Sequence, residues 1–114
     1  MNLLFVSIFL FVTAVAIGLY LVFLGLHKSK RSPGLGLTHA SLALAGIMVL
    51  FALIYTGPKD ILNNVAALFL FFAVVGGGMV FALHEENKPP SMAAVTTHAI
   101  MGLIGISLLI IHLI

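Results

Sequence analysis

Long apolar segments alternate along this chain with short polar ones. Four apolar segments occupy residues 3–26, 35–55, 61–83 and 92–114, and each is close to the roughly 20 residues that cross a bilayer as a helix. Backbone groups in lipid must be paired within a helix or a closed barrel, and the alternation that barrel strands require is absent. The pattern therefore predicts four transmembrane helices in a single domain over residues 1–114.

The composition supports a membrane location. Hydrophobic residues make up 62% of the chain and charged residues only 7%, whereas about a quarter of a typical soluble domain is charged. Such a chain cannot cover itself with a hydrated surface, so we expect an all-α integral membrane protein with the lipid bilayer as its environment. A formal net charge of +2 is too small to indicate nucleic acid as a partner. The absence of cysteine excludes disulfides and thiolate metal sites.

Basic residues predict the orientation in the membrane. Lys28, Lys30 and Arg31 follow the first apolar segment and Lys88 follows the third, whereas Lys59 alone follows the second. Cytoplasmic loops of membrane proteins carry an excess of lysine and arginine. We therefore expect the loops after the first and third helices in the cytoplasm, and both termini outside.

The second half of the chain repeats features of the first. Thr38–Ala40, with the sequence Thr-His-Ala, lies near the start of the second apolar segment, and Thr97–Ala99 repeats it near the start of the fourth. We therefore predict a four-helix bundle made of two parallel helical-hairpin repeats, residues 1–56 and 57–114. Such repeats are related by a pseudo-twofold axis along the membrane normal.

The predicted topology brings four histidines to one membrane face. His27 and His84 end the first and third helices, and His39 and His98 lie near the starts of the second and fourth. The gap between the two histidines of a half differs by two residues between the halves. At about 1.5 Å per residue, His39 and His98 lie inside the apolar layer, where ionisable groups are costly and are functional candidates by default. We predict that these two are ligands of a metal centre, which could be a haem iron or a metal ion. His27 and His84 would support them or bind a second haem or metal.

Small residues follow both of the deeper histidines at helical spacing, so that they share a stripe with the histidine. A strip of small residues offers a flat wall for a broad ring, and two facing walls with axial histidines would suit haem b. Close packing of membrane helices would use the same residues. The small residues can therefore be interpreted either as walls for a ring or as contacts between helices. The small residues lie four and seven positions after each histidine: Ala43 and Gly46 after His39, and Gly102 and Gly105 after His98.

This layout resembles that of the small b-type cytochromes of membranes, in which haem held by two histidines carries electrons. The resemblance covers the four helices and rests on the four histidines rather than on a family motif. It implies a haem b protein whose iron has both axial positions filled, which favours electron transfer over oxygen activation. A redox partner or a quinone would then be required, and the loop residues Lys28, Lys30 and Arg31 could pair with haem propionates. A homodimer would add internal volume, and any enzyme activity would be that of a membrane oxidoreductase.

Two alternatives stay open at this point. In the first, the four histidines bind or transport a divalent metal ion such as zinc, copper or nickel. In the second, the chain is a structural or accessory membrane subunit whose histidines bridge helices. Hydrolytic chemistry is not indicated, because Asp60, Glu85 and Glu86 are the only carboxylate side chains and all lie between the apolar segments. Of these, Asp60 is the predicted N-cap of the third helix.

Overall fold

A computed structural model describes residues 2–27, 33–83 and 90–114 of the protein. Within these ranges the chain is all-α, without strands. The predicted bounds of the first and third helices agree with those observed, the second helix is longer at both ends, and the fourth is one residue shorter. The helices are α1 (Leu3–Leu26), α2 (Pro33–Thr56), α3 (Ile61–Leu83) and α4 (Met92–Leu113).

The start of α2 differs from the prediction. The sequence Pro33-Gly34 suggested a break ahead of a helix beginning at residue 35, but the helix begins at Pro33. Proline suits the first helical position, because its fixed φ is already helical. It lacks a backbone N–H, but an N–H at this position would have no partner inside the helix. The Thr38 hydroxyl donates a hydrogen bond of 2.7 Å to the Gly34 carbonyl. Pro33 therefore starts α2.

The start of α3 is fixed by the predicted cap. The Asp60 carboxylate accepts hydrogen bonds from the backbone N–H groups of Leu62, at 2.9 Å, and Asn63, at 3.2 Å. These donors have no partner inside the helix, and a carboxylate at this end also favours the helix dipole. The prediction of Asp60 as the N-cap is confirmed.

The helices form two antiparallel hairpins that pack side by side. α1 packs along α2 and α3 packs along α4, while smaller contacts join α2 to α3 and α1 to α4. The pairs α1/α3 and α2/α4 are therefore diagonal across the bundle. Each helix is long and apolar enough to cross a membrane, which indicates a multi-pass membrane protein.

The buried core occupies one end of the bundle, which we call the terminal end because both chain termini lie there. The opposite end, where α1 leads into α2 and α3 leads into α4, is called the loop end. Except for Ala67, the fully buried residues form pairs that are 59 positions apart in the chain. They are Leu4, Ser7, Phe11 and Ala14 in α1; Gly46, Ile47 and Leu50 in α2; Asn63, Ala66, Ala67, Leu70 and Ala73 in α3; and Gly105, Ile106 and Leu109 in α4.

The loop end is much less tightly closed. Among the residues of 15–27, 33–45, 74–82 and 90–104, whose burial the structure describes, none is buried. Interior positions at this end are half-buried at most, although the helices continue for several turns. The bundle is therefore compact at its terminal end and open at its loop end.

Candidate functional site

His39 and His98 lie where the compact and open halves of the bundle meet, and each ring is held by a backbone carbonyl of the other helix in its hairpin. His39 Nδ1 is 2.7 Å from the carbonyl oxygen of Ala14, and His98 Nδ1 is 2.7 Å from that of Ala73. A carbonyl oxygen only accepts hydrogen bonds, so each Nδ1 carries the hydrogen. In the neutral ring this leaves the lone pair on Nε2, free to bind a metal ion.

A glycine makes room for each ring. A Cβ atom added at Gly18 would come within 2.9 Å of His39 Cε1, and one added at Gly77 would come within 2.7 Å of His98 Cε1. Real Cβ atoms do not approach other atoms so closely. Gly18 lies four residues after Ala14, so the ring crosses the glycine to reach the carbonyl one helical turn back. The same arrangement recurs 59 residues later in the second hairpin.

The site predicted from the sequence included neither these glycines nor the alanines that accept the hydrogen bonds. Gly77 belongs to the run Gly76–Gly78, which by its sequence alone is typical of helix packing or a kink. A signal was nevertheless present: the pattern Ala-x3-Gly occurs at Ala14–Gly18 and at Ala73–Gly77, with the same separation as His39 and His98. Two small residues four positions apart commonly mark the face of a membrane helix that a neighbouring helix approaches closely.

The two histidine rings meet in the middle of the bundle, from the diagonal helices α2 and α4. Their centroids are 6.0 Å apart and their planes are nearly perpendicular, at 82°. Two imidazoles that share one ion have metal–nitrogen bonds of about 2 Å each, which places their ring centres roughly 6 Å apart. Both side chains are half-buried. The geometry is that of an edge-to-face contact between two rings, and the separation of the ring centres also equals that expected for two ligands of one metal ion.

Gly46 and Gly105, predicted as walls for a flat ring, lie instead in tight contacts between helices. A Cβ added at Gly46 would lie 3.0 Å from the Phe11 ring, and one at Gly105 would lie 2.5 Å from Leu70 Cγ. Both glycines are fully buried. Of the two interpretations that the sequence left open for these glycines, the contacts agree with helix packing.

Ala43 and Gly102, one turn closer to the histidines, are half-buried. A Cβ added at Gly102 would lie 3.9 Å from the Ala73 Cβ, which is an ordinary van der Waals contact. These two positions lie beside the histidine pair on its terminal side.

His27 does not join the pair. Its ring is exposed, with Nδ1 2.9 Å from the carbonyl of Phe23 in its own helix and the two ring centroids 4.2 Å apart. His27 lies nine residues beyond Gly18, which is about 13 Å further along the helix axis. His27 therefore does not meet His39 and His98 as predicted, because its ring packs on Phe23 of its own helix while His39 lies beside Gly18, deeper in the bundle.

The described part of the chain holds no group of three His, Cys, Asp or Glu residues suited to a metal ion. His84, the fourth predicted histidine, and the basic residues Lys28, Lys30 and Arg31 lie outside the described residues. His112 is at the terminal end, where its Nδ1 is 3.1 Å from Asp60 Oδ2. It belongs to the start of α3 rather than to the histidine pair.

Comparisons with protein families, with curated proteins and with solved structures find no match to this chain. The function must therefore be argued from the site itself. The site offers two imidazoles from diagonal helices, each oriented by a backbone carbonyl and each with one nitrogen available to a ligand.

Proposed function

We propose that this protein binds haem b between His39 and His98 within the membrane and transfers electrons. The observation that carries the proposal is the hydrogen bond from each Nδ1 to a backbone carbonyl, at 2.7 Å in both hairpins. Histidines that bind metals almost always donate their other ring N–H to such an acceptor, which fixes the ring and raises its basicity as a ligand. Two histidines held alike, with ring centroids 6.0 Å apart, would hold one haem iron between them.

The donor set suits haem better than a bare ion. A structural zinc site takes four protein ligands, whereas the described residues bring only two imidazoles together. Haem supplies four nitrogens of its own and needs one or two from the protein. Bound by these two residues, haem would supply a one-electron redox centre.

The chain's own residues contribute orientation and an apolar setting. The carbonyls of Ala14 and Ala73 fix the tautomer and the direction of each ring, and Gly18 and Gly77 let the rings approach the neighbouring helix. The compact terminal end closes one side of the site with mostly apolar side chains.

The proposal extends to the arrangement in the membrane. The spacing of 59 residues, which relates the histidines, their acceptors and the buried positions, supports two hairpin repeats around a pseudo-twofold axis. His27 and His84 are 57 residues apart, so with a repeat of 59 residues they are not at equivalent positions. The excess of lysine and arginine after α1 and α3 supports a cytoplasmic loop end, where a redox protein or a quinone would exchange electrons. A second copy of the chain would leave this site unchanged, since both histidines come from one chain.

The test is a visible spectrum of the protein purified after expression with ample haem. We expect a Soret band in the wild-type protein, and its loss in His39→Gln and in His98→Gln. The glutamine amide can still donate a hydrogen bond to the carbonyl, so the bundle should keep its thermal stability while the ligand is lost. A wild-type protein that takes up no haem would refute the proposal.

A structural role is the alternative that a specific observation favours. The same hydrogen bonds join α2 to α1 and α4 to α3, and in membrane proteins such bonds contribute about 0.6 kcal/mol each. A purely structural pair predicts no haem and no metal in the wild-type protein, with full function retained in both glutamine variants. Elemental analysis of the same sample tests the remaining alternative, since zinc, copper or nickel bound in a stoichiometric amount and lost in both variants would indicate a divalent-metal protein.

A further inference from the structure

The number of ligands at the histidine pair limits which metal ion it can hold. In the part of the chain that the structure describes, no third His, Cys, Asp or Glu joins His39 and His98. Asp60, the only carboxylate among the described side chains, lies 13 residues before Ala73, which is about 20 Å along α3 from the level of the pair. A zinc ion takes three or four protein ligands, so two imidazoles do not suffice for it. An ion that takes only two ligands is not subject to this limit.

Methionine side chains do not add a ligand. Met101 comes three residues after His98, but it lines a crevice on the outside of the bundle, beside the exposed side chains of Leu68 and Phe72. The other methionines that the structure describes are exposed: Met48, Met79 and Met92. Within the described residues, the pair is therefore a site of two nitrogen ligands.

The second nitrogen of each ring is accessible to a ligand. The hydrogen bonds of His39 and His98 involve Nδ1 only, so both Nε2 atoms lack a partner among the described residues. Asn63 Oδ1 is the only enclosed and unpartnered side-chain nitrogen or oxygen atom in that part of the chain. Neither Nε2 atom is enclosed in that way, so each has open space beside it.

Monovalent copper suits a pair of this kind. Cu(I) and its heavier counterpart Ag(I) have filled d shells and accept two ligands on opposite sides of the ion, and imidazole is a suitable donor for copper. With metal–nitrogen bonds of about 2 Å, the two ring centres would be roughly 6 Å apart, and the observed separation is 6.0 Å. Rotation of a ring about its metal–nitrogen bond leaves both bonds unchanged, so planes at 82° are compatible with this coordination.

The charge of the ion favours the monovalent state. The cost of moving an ion out of water rises with the square of its charge, and the groups that hold the rings are neutral backbone carbonyls. A monovalent ion between two neutral imidazoles leaves one positive charge in the apolar layer, whereas a divalent ion leaves two. Each carbonyl also accepts the Nδ1 hydrogen of its ring, which raises the basicity of the ligand nitrogen.

We propose that the haem-free protein binds one monovalent copper ion between His39 and His98, through the two Nε2 atoms and without a third protein ligand. This inference uses the same two nitrogens as the proposed function, but it does not depend on haem binding. Haem and the ion compete for the pair, so one chain holds one or the other.

Silver(I) is the probe for the first test, because it has the same charge as Cu(I) and keeps its oxidation state in air. The haem-free protein, without an oligohistidine tag, is titrated with silver nitrate in chloride-free detergent buffer, and the absence of cysteine removes competition by thiols. We expect one silver ion per chain in the wild-type protein. Binding should weaken at least about 100-fold in His39→Gln and in His98→Gln, since loss of even an outer partner of a metal ligand costs about 10- to 100-fold.

His27→Gln and His112→Gln are the matched controls, because both histidines lie apart from the pair, and these variants should bind silver like the wild-type protein. Absence of silver binding by the wild-type protein would refute the inference. Binding that survives in His39→Gln and His98→Gln, or that is lost equally in the controls, would refute it as well.

A second measurement uses the wild-type protein alone and covers the case in which a variant folds poorly. X-ray absorption at the silver edge counts the atoms bound to the ion, and we expect two nitrogen neighbours. Three or four neighbours, or a sulfur neighbour, would overturn the two-ligand site, as would zinc bound in a stoichiometric amount under the same conditions. Haem uptake without silver binding would remove this inference alone, whereas silver binding without haem uptake would remove only the proposed function.

Discussion

At the scale of single residues, the glycines of this chain differ in what they contact. Gly76, Gly77 and Gly78 are consecutive in α3, yet only Gly77 has another residue's atoms within 4 Å of an added Cβ, and those atoms belong to the His98 ring. Gly76 and Gly78 have open space at the same distance. Of the three, Gly77 alone is required for the histidine to reach its carbonyl.

Gly77→Ala is expected to damage the site. The added methyl group would overlap the His98 ring at 2.7 Å, so the ring would have to move off the Ala73 carbonyl. Overpacking of this kind typically costs about 1–3 kcal/mol, which corresponds to a loss of about fivefold to 150-fold in haem affinity. A haem titration of the purified variant measures the change.

Gly78→Ala is the matched control, one residue away in the same helix. Its methyl group meets nothing, and alanine is the better helix former by about 1 kcal/mol. This variant should bind haem like the wild-type protein and melt at the same temperature or slightly higher. Equal haem affinities in the two variants would show that Gly77 does not position His98.

At the scale of elements, each hairpin is held by a glycine contact near its terminal end. In the first hairpin the Ser7 hydroxyl also donates a hydrogen bond of 3.1 Å to the Gly46 carbonyl. In the second hairpin the position corresponding to Ser7 is Ala66, whose carbonyl oxygen would lie 3.2 Å from a Cβ added at Gly105. The second hairpin therefore depends on close backbone approach, without that side-chain hydrogen bond.

Gly105→Ala is expected to loosen the contact between α3 and α4. The methyl group would overlap Leu70 and press on the backbone oxygen of Ala66, which cannot turn aside as a side chain can. We expect a loss of about 1–3 kcal/mol in the free energy of unfolding, measured by thermal or denaturant unfolding in detergent. Gly102→Ala, one turn earlier, is the control, since its methyl group would make only an ordinary contact at 3.9 Å. Equal stability of the two variants would contradict the packing described here.

At the scale of the whole molecule, the bundle has a compact half and an open half, and the histidine pair marks the boundary between them. The long dimension of the protein is 47 Å, enough to cross the roughly 30 Å hydrocarbon layer of a bilayer with both ends at the aqueous boundaries. The open half then faces one side of the membrane only. The proposed electron transfer would then take place with partners on that side.

The side that the loop end faces can be measured in cells. Single cysteines introduced by Leu26→Cys and Ser91→Cys report on the loop end, and Lys59→Cys reports on the terminal end; all three positions are exposed. With a maleimide that does not cross membranes, we expect intact cells to label only Lys59→Cys, because basic loops stay in the cytoplasm. Lysed cells, which should label all three, provide the control. Labelling of the other two variants in intact cells would reverse the proposed orientation.

The sequence by itself determined the number of helices and their approximate bounds, and it singled out His39 and His98. Hydropathy is a local property, and a helix in lipid satisfies its backbone within its own segment, so segment lengths sufficed to place α1 to α4. The repeated Thr-His-Ala placed His39 and His98 at equivalent depths for the same reason. Asp60 could be predicted as a cap because capping involves only neighbours in the chain.

Only the tertiary structure decided which residues meet. These helices are apolar all round, so hydropathy does not show which face of each helix turns inward, whereas the polar face of a soluble helix does. The acceptor roles of Ala14 and Ala73, the packing of Phe11 on Gly46, and the separation of His27 from the pair all depend on how the helices are rotated and aligned. That arrangement is set by close packing of small residues between helices, and it brings the rings of His39 and His98 together where the compact and open halves of the bundle meet.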